Sequence, residues 1–374
     1  MSAKTEPAHT KIAGLTGAQL CELSQRLLPR GAGVARAIYR DALQSGCFDP
    51  AAHGLAERTC AGWREHFALG LLEVGPVAQE QTDTGTTAKA TLRLADGLEV
   101  ESVLLPMGRD RATLCISSQV GCKMGCTFCE TGRMGLLRHL SAAEIIGQLL
   151  TARHRLGWRF RNVVFMGMGE ALDNADNVLQ ALRVMTDGGG LGIAQQHITV
   201  CTVGHVDGIA RLQQAGFRRL NLSFSLNAAS DEARQASMPI TRRWPLSQVQ
   251  RALADYRPRD NFTLGINYCL IPGDNDRPQD VEGIARFCAP LGRVMVNLIP
   301  YNPGNDPVGR APTEAEIVDF VQRLRAAGLP VRRRITKGRD LMAACGQLGN
   351  VQLRRRPPGG SSRSVKKGFR FSVP

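Results

Sequence analysis

Between residues 111 and 335 the chain alternates short apolar runs with amphipathic stretches, and this alternation restricts its fold most. RATLCISSQ, NVVFMGM, HITVCTV, LNLSFSL, FTLGINYCLI, RVMVNLI and PVRRRI read as strands. Between them fall the helical patterns SAAEIIGQLLTARHRL, DNADNVLQALRVM, VDGIARLQQA, LSQVQRALADY, PQDVEGIARFC and TEAEIVDFVQRLRAA. Parallel strands need crossovers of this kind. Six βα units in a row therefore predict an α/β fold with a parallel sheet, open or curled into a partial barrel. In such a sheet the reactive groups belong at the C-terminal ends of the strands.

Ahead of that region, residues 14–70 predict helices. TGAQLCELSQRLL offers Thr16 as an N-cap with Leu20, Leu23 and Leu27 on one face; GVARAIYRDALQSG stops near Gly46; LAERTCAGWREHFALG follows. Residues 86–105 alternate around Asp96-Gly97, a hairpin turn signal. The expected organisation is a helical accessory domain at 1–80, a β-hairpin adaptor at 81–110, a catalytic domain at 111–349 and a basic tail at 350–374. That tail is rich in Pro, Gly and Ser and is expected to be disordered when free.

The chain has 374 residues and a net charge of +14. Residues 331–374 carry twelve Lys/Arg and one acid, Asp340, so most of the excess sits there. The expected partner is a polyanion, with nucleic acid the default; a solubilising tail is the bland alternative. No apolar run reaches the ~18 residues of a membrane helix. MSAKTEPAHTKIAG lacks a secretory apolar stretch, so the expected location is the cytoplasm, without membrane attachment. Aromatic residues make up 5%, too few for an aromatic-rich RNA platform.

The eleven cysteines are an odd number, which argues against a disulfide framework in this setting. Three of them, Cys122, Cys126 and Cys129, stand as C-x3-C-x2-C in GCKMGCTFC, directly after the first strand of the repeat. Three thiolates on one loop suit a soft metal centre. A structural zinc site usually has four protein ligands, and neither a second C-x2-C nor a His-x3-5-His pair follows. A [4Fe-4S] cluster on three cysteines leaves one iron open to a substrate; zinc with a remote fourth ligand is the competing reading. Gly167-Met168-Gly169-Glu170 closes the second strand, where the glycines allow close approach to the backbone and the carboxylate suits an ammonium group.

At these two motifs the chain resembles the radical S-adenosylmethionine (SAM) superfamily. TLCISSQVGCKMGCTFC, VVFMGMGE, IPYNP and DLMAACGQL together resemble the RlmN/Cfr family of radical-SAM RNA adenosine methyltransferases. The resemblance implies a partial (βα)6-type barrel and a [4Fe-4S] cluster on Cys122, Cys126 and Cys129. It places SAM against Gly169, Glu170, Cys201, Ser225, Leu226, Asn227 and Asn302. It makes Cys345 the methyl-carrying cysteine, Cys115 the thiol that resolves the protein–RNA adduct, and Glu101 a proton acceptor. Taken as residues alone, Cys115 and Cys345 read equally as small buried hydrophobes, and Glu101, in phase with Glu99, as solvated.

The mechanism implied uses two SAM molecules per turnover. One methylates Cys345; the second is cleaved to a radical that takes hydrogen from the S-methyl group. The carbon radical adds to the adenine, and attack by Cys115 on Cys345 releases the product with a disulfide, which an external electron donor resets. The many arginines around Cys345 are expected to favour its thiolate. The product expected is 2-methyladenosine in 23S ribosomal RNA, with transfer RNA as a further substrate. Methylation at C8, a non-catalytic iron–sulfur RNA-binding protein, and a radical-SAM enzyme for a protein or small molecule are the alternatives. Ala171, Asn227 and Cys201 depart from the Pro, His and Ser usual in the family.

Overall fold

The structure is a computed structural model that describes residues 9–82, 85–108, 111–335, 337–339 and 341–349. The tail expected at 350–374 lies outside the described residues. Helix α1 (Gly17–Leu27) starts at Thr16, whose hydroxyl accepts from the Gln19 N–H while the Gln19 side chain accepts from the Thr16 N–H. This reciprocal cap satisfies two of the donors a first turn leaves unpaired. Helix α2 (Ala35–Ser45) ends at Gly46, whose φ of 72° suits glycine. With α3 (Glu57–His66) these helices bury Leu20, Ile38, Leu43 and Trp63. A short parallel ribbon of β1 (Thr10–Lys11) and β2 (Phe67–Ala68) joins the two ends of the unit.

The hairpin expected around Asp96-Gly97 is present as β4 (Gly85–Arg93) and β5 (Glu99–Pro106), but a further strand, β3 (Glu73–Thr82), pairs antiparallel with β4. The antiparallel part is thus a three-strand meander. Gly75 and Pro76 disguise β3 in the sequence. Pro is tolerated because β3 is the outermost strand, and the pairing register slips between Val74 and Val77.

Strand β6 (Ala112–Cys115) pairs antiparallel with β5 on one side and parallel with β9 (Asn162–Phe165) on the other. Between them the chain makes a small separate sheet from β7 (Gln119–Cys122) and β8 (Gly135–His139), which encloses helix α4 (Glu130–Met134). Beyond β9 the parallel strands follow one another in chain order: β10 (Ile198–Thr202), β11 (Asn221–Ser225), β12 (Leu264–Leu270), β13 (Val294–Pro300) and β14 (Val331–Arg333).

The ten-stranded sheet runs β14-β13-β12-β11-β10-β9-β6-β5-β4-β3. Its seven parallel strands are those read from the sequence. Its two ends, β14 and β3, are edges, as a partial barrel requires. Helices α5 (Ala142–His154), α6 (Ala175–Thr186), α7 (Val206–Gln214), α8 (Asp231–Ser237), α9 (Leu246–Asp255), α10 (Pro278–Cys288) and α11 (Glu314–Ala326) make the crossovers. Leu264, Ile266, Tyr268, Val296, Leu298 and Phe320 are buried between sheet and helices; complete burial of one such side chain contributes roughly 1.5–3 kcal/mol. Parallel order sends the C-terminal ends of β6 and β9–β14 to one side. No helix among the described residues is long and apolar enough to cross a membrane.

Candidate active site

The cysteine loop leaves β7 at Cys122 and re-enters regular structure at α4. Gly125 takes a φ of 68° inside it, and the Cys129 N–H donates to the Cys126 carbonyl at 3.2 Å. Cys122, Met124, Cys126 and Met238 form a buried apolar cluster apart from the main core, with Phe128 and Cys129 packed on it. All three cysteines line one cavity of about 160 Å³. Burial pushes the Cys122 thiol up to about 12 and raises those of Cys126 and Cys129. Without metal they are thiols, and a soft metal centre must displace their protons.

The GMGE turn is zipped onto the segment that follows β6. The Met168 carbonyl accepts from Ser118 and Gln119, and the Met168 N–H donates to the Ser117 hydroxyl at 2.9 Å. Gly169, at φ 101°, lies against Gln119, whose side-chain oxygen accepts from the Glu170 N–H at 2.8 Å. Glu170 is 3% exposed and faces the cavity. Its carboxylate accepts from Leu172 at 3.1 Å and Val203 at 2.9 Å. Burial raises its pKa against those donors. An ionised carboxylate has about four acceptor positions, so it keeps room for a cationic ligand. Lys123 pairs with Asp173 at 2.8 Å and ties the cysteine loop to this turn. Burial opposes ionisation of Asp173, but His205, Lys123 and Gln119 hold it well below the usual carboxylate range.

Strands β10 to β13 supply the opposite wall. Cys201, Ser225 and Asn227 line the cavity, and burial pushes the Cys201 thiol up to about 12. Asn227 sits at φ 58°, a region in which Asn is enriched. Its side chain accepts from the Cys269 N–H at 2.9 Å and donates to the Met238 sulfur at 3.3 Å. The Leu226 side chain is fully buried in the main core and does not line the cavity. The structure adds Asn267 and Cys269 to the lining.

Behind this wall lies Arg234, fully buried. It donates to the carbonyls of Leu226 (3.0 Å), Val203 (2.6 Å) and Ser225 (3.1 Å) and to the Thr241 hydroxyl (2.8 Å). It thereby joins the ends of β10 and β11.

A second cavity of about 270 Å³ adjoins the first and is lined by Cys115, Asn302, Arg332, Arg333, Arg334 and Lys337 among others. Asn302 therefore stands away from the cavity of Glu170, and its side-chain oxygen accepts from Arg339 at 3.2 Å. Cys345, Met166 and Ile299 line both cavities, so Cys345 stands in the partition. Cys345 is exposed at the partition, and Arg334 acts on its thiol in the direction of the thiolate. Burial raises the Cys115 thiol. All eleven cysteines are free, so the disulfide implied by the resemblance is absent. Glu101 lines neither cavity. It is not solvated: Lys89 pairs with it at 3.0 Å and the Gly349 N–H donates to it at 2.7 Å.

A partial parallel barrel that gathers three loop cysteines and a buried glutamate in one cavity at its C-terminal edge defines the radical-SAM class. Residues 116–288 match the radical SAM superfamily. A probable dual-specificity RNA methyltransferase RlmN of Protochlamydia amoebophila is 44% identical over 283 residues, 76% of this chain and 78% of that protein. A probable RNA methyltransferase of Sorangium cellulosum is 40% identical over 375 residues, 95% of this chain and 92% of that one. The crystal structure of a radical SAM methyltransferase from Sphaerobacter thermophilus matches with a TM-score of 0.83 at 35% identity, covering 91% of this chain and 99% of that one. The chain belongs to the RlmN/Cfr family of radical-SAM RNA methyltransferases.

Membership implies a [4Fe-4S] cluster and SAM. The donor set fits the cluster: three cysteines share one apolar wall, next to a buried glutamate and open space for a ligand.

Proposed function

We propose that the chain methylates C2 of an adenosine in 23S ribosomal RNA, with transfer RNA a second substrate, through a methyl group carried on Cys345. The observation that carries this reading is the place of Cys345 in the partition between two cavities. One cavity holds Cys122, Cys126, Cys129 and Glu170, and the other holds Cys115 under a rim of Arg332, Arg333, Arg334 and Lys337. A thiol in that position can receive a group on one side and deliver it on the other. Relatives named dual-specificity RNA methyltransferase RlmN support the RNA substrate.

Cys122, Cys126 and Cys129 would hold the cluster, which supplies the electron for reductive SAM cleavage. Glu170, fixed by the Leu172 and Val203 amides, takes the ammonium of SAM. Ser225 and Asn227 complete that wall, and Cys201 is a thiol where the family usually has Ser. The Cys345 sulfur displaces the methyl group of one SAM and releases its own proton, giving S-methylcysteine and S-adenosylhomocysteine. A direct polar transfer from SAM to the adenine would be poor, because that ring carbon is not nucleophilic; a carrier thiol answers this chemistry. Cys115 lines the adenosine-side cavity and acts on the Cys345 sulfur when the product leaves. The arginine rim binds phosphates, and an external donor supplies electrons. Two SAM molecules are consumed in each turnover.

The test is mass mapping of adenosine modifications in ribosomal and transfer RNA from cells with and without the gene. The reading expects loss of 2-methyladenosine, restored by the wild-type gene and not by Cys345→Ala. A lost C8 methyl group would overturn the regiochemistry, and an unchanged RNA would overturn the substrate class.

A further inference from the structure

The segment that carries Cys345 is held from outside the barrel, by the antiparallel strands. Lys89 on β4 and Glu101 on β5 both reach it. The Lys89 ammonium pairs with one Glu101 oxygen at 3.0 Å and donates to the Met342 carbonyl at 3.1 Å. The other Glu101 oxygen accepts from the Gly349 N–H at 2.7 Å. The two side chains are 16% and 15% exposed, so solvent competes little for these bonds. Met342 and Gly349 bracket Cys345 and are the two grip points.

Both grip points have unusual backbone. Met342 has a φ of 52°, rare for a residue with a side chain; such strain persists only where the surroundings over-determine it. Gly349 has a φ of 128°, and a Cβ there would lie 2.6 Å from the Met134 sulfur. The chain thus passes tightly over α4 just where Glu101 holds it. Further bonds join the segment to α4 and the loop after β13: the Glu130 N–H donates to Gly346 at 2.8 Å, and the Gln347 side chain donates to Pro303 at 2.8 Å.

A general base must come within about 2.6–3.2 Å of the proton it takes, directly or through one water. Glu101 lines neither cavity, and each of its oxygens already has a partner. We propose that Lys89 and Glu101 are positioning residues that jointly hold Met342 and Gly349 so that Cys345 stands in the partition. The proposal rests on the reading of Cys345 as the methyl carrier.

The test compares full-length Glu101→Ala, Glu101→Gln and Lys89→Met with the wild type. Cluster-loaded protein is incubated with SAM without RNA, and S-methylation of Cys345 is followed by mass spectrometry. Hydrogen exchange of residues 341–349 is measured in parallel. Loss of a hydrogen bond to a charged group entails roughly a tenfold effect or more. Glu101→Ala and Lys89→Met should therefore load Cys345 at least about tenfold more slowly and exchange faster across the segment. Glu101→Gln keeps an oxygen for the Gly349 N–H and should lose less of both. With RNA present, none of the three should accumulate a covalent protein–RNA adduct.

Normal loading in Glu101→Ala and Glu101→Gln, with adduct accumulating in both, would make Glu101 the base and overturn the proposal. Unchanged exchange in Lys89→Met would overturn it as well, and this arm stands if Glu101→Ala fails to fold. If wild-type Cys345 never gains a methyl group, the functional reading fails, and hydrogen exchange alone decides the clamp.

Discussion

Replacing Gly169 with alanine should damage both the fold and SAM binding. The residue sits at φ 101°, and an added Cβ would lie 2.6 Å from the Gln119 Cβ and 2.8 Å from its Cγ and Oε1. A left-handed conformation costs a residue with a side chain about 1–2 kcal/mol, and overpacking a tight site costs a further ~1–3 kcal/mol. Relief by moving Gln119 breaks its 2.8 Å bonds to the Glu170 N–H and to Asp173. A loss of about 2–5 kcal/mol follows, large against the ~5–15 kcal/mol that hold a typical domain. Urea unfolding of the metal-free protein reads the first part. Equilibrium dialysis of SAM against anaerobically reconstituted enzyme reads the second, with binding at least tenfold weaker, about 1.4 kcal/mol. Gly157→Ala is the control: φ is 67° there, and a Cβ meets nothing within 4 Å, so only the backbone cost of ~1–2 kcal/mol applies. If Gly169→Ala matched this control in stability and the wild type in SAM affinity, the reasoning about the turn would be refuted.

Further consequences can be measured separately. Cys126→Ala should lower bound iron sharply after reconstitution while far-ultraviolet circular dichroism stays unchanged; full iron occupancy would contradict the ligand assignment. Burial raises the thiols of Cys122 and Cys201 from 9.0 to about 12. Raised folded-state values stabilise the protein at pH below the unfolded value and lose that contribution as pH climbs toward the folded one. Metal-free protein under reducing conditions should therefore lose stability between about pH 9 and 12; denaturation midpoints that rise across this window would contradict it. Changing Arg332 and Arg334 to Gln should flatten the dependence of log affinity on log salt for RNA by roughly 0.7–0.9 per lost phosphate contact. An unchanged slope would remove the second cavity's rim from the RNA interface.

The seven parallel strands were legible because they read as short apolar runs, and the helices between them carry caps such as Ser141 and Thr313. Coverage on both faces hid Cys269. Six of the seven residues of β12 are buried, so no alternation marks which side of the strand faces the cavity. Arg234 was invisible for a related reason: in DEARQAS it reads as one solvated arginine on a short polar helix, and its partners are backbone carbonyls distant in sequence. The cysteine loop, Gly169 and Glu170 were legible because their spacing is local. The separation of Asn302 from the Glu170 cavity was not, since it depends on how the loop after β13 meets Arg339. Glu101 shared a phase with Glu99, which does not reveal that its oxygens meet Lys89 and the Gly349 amide, 248 residues away for the latter.

The central claim is that the methyl group passes through Cys345 in the partition between the two cavities. The direct measurement supplies SAM with an isotopically labelled methyl group to reconstituted enzyme, quenches at successive times, and follows the label by mass spectrometry in the Cys345 peptide and in adenosine. The account predicts label on Cys345 before any in RNA, and its passage to adenosine on addition of RNA and reductant. Label that reaches adenosine without ever residing on Cys345 would contradict it.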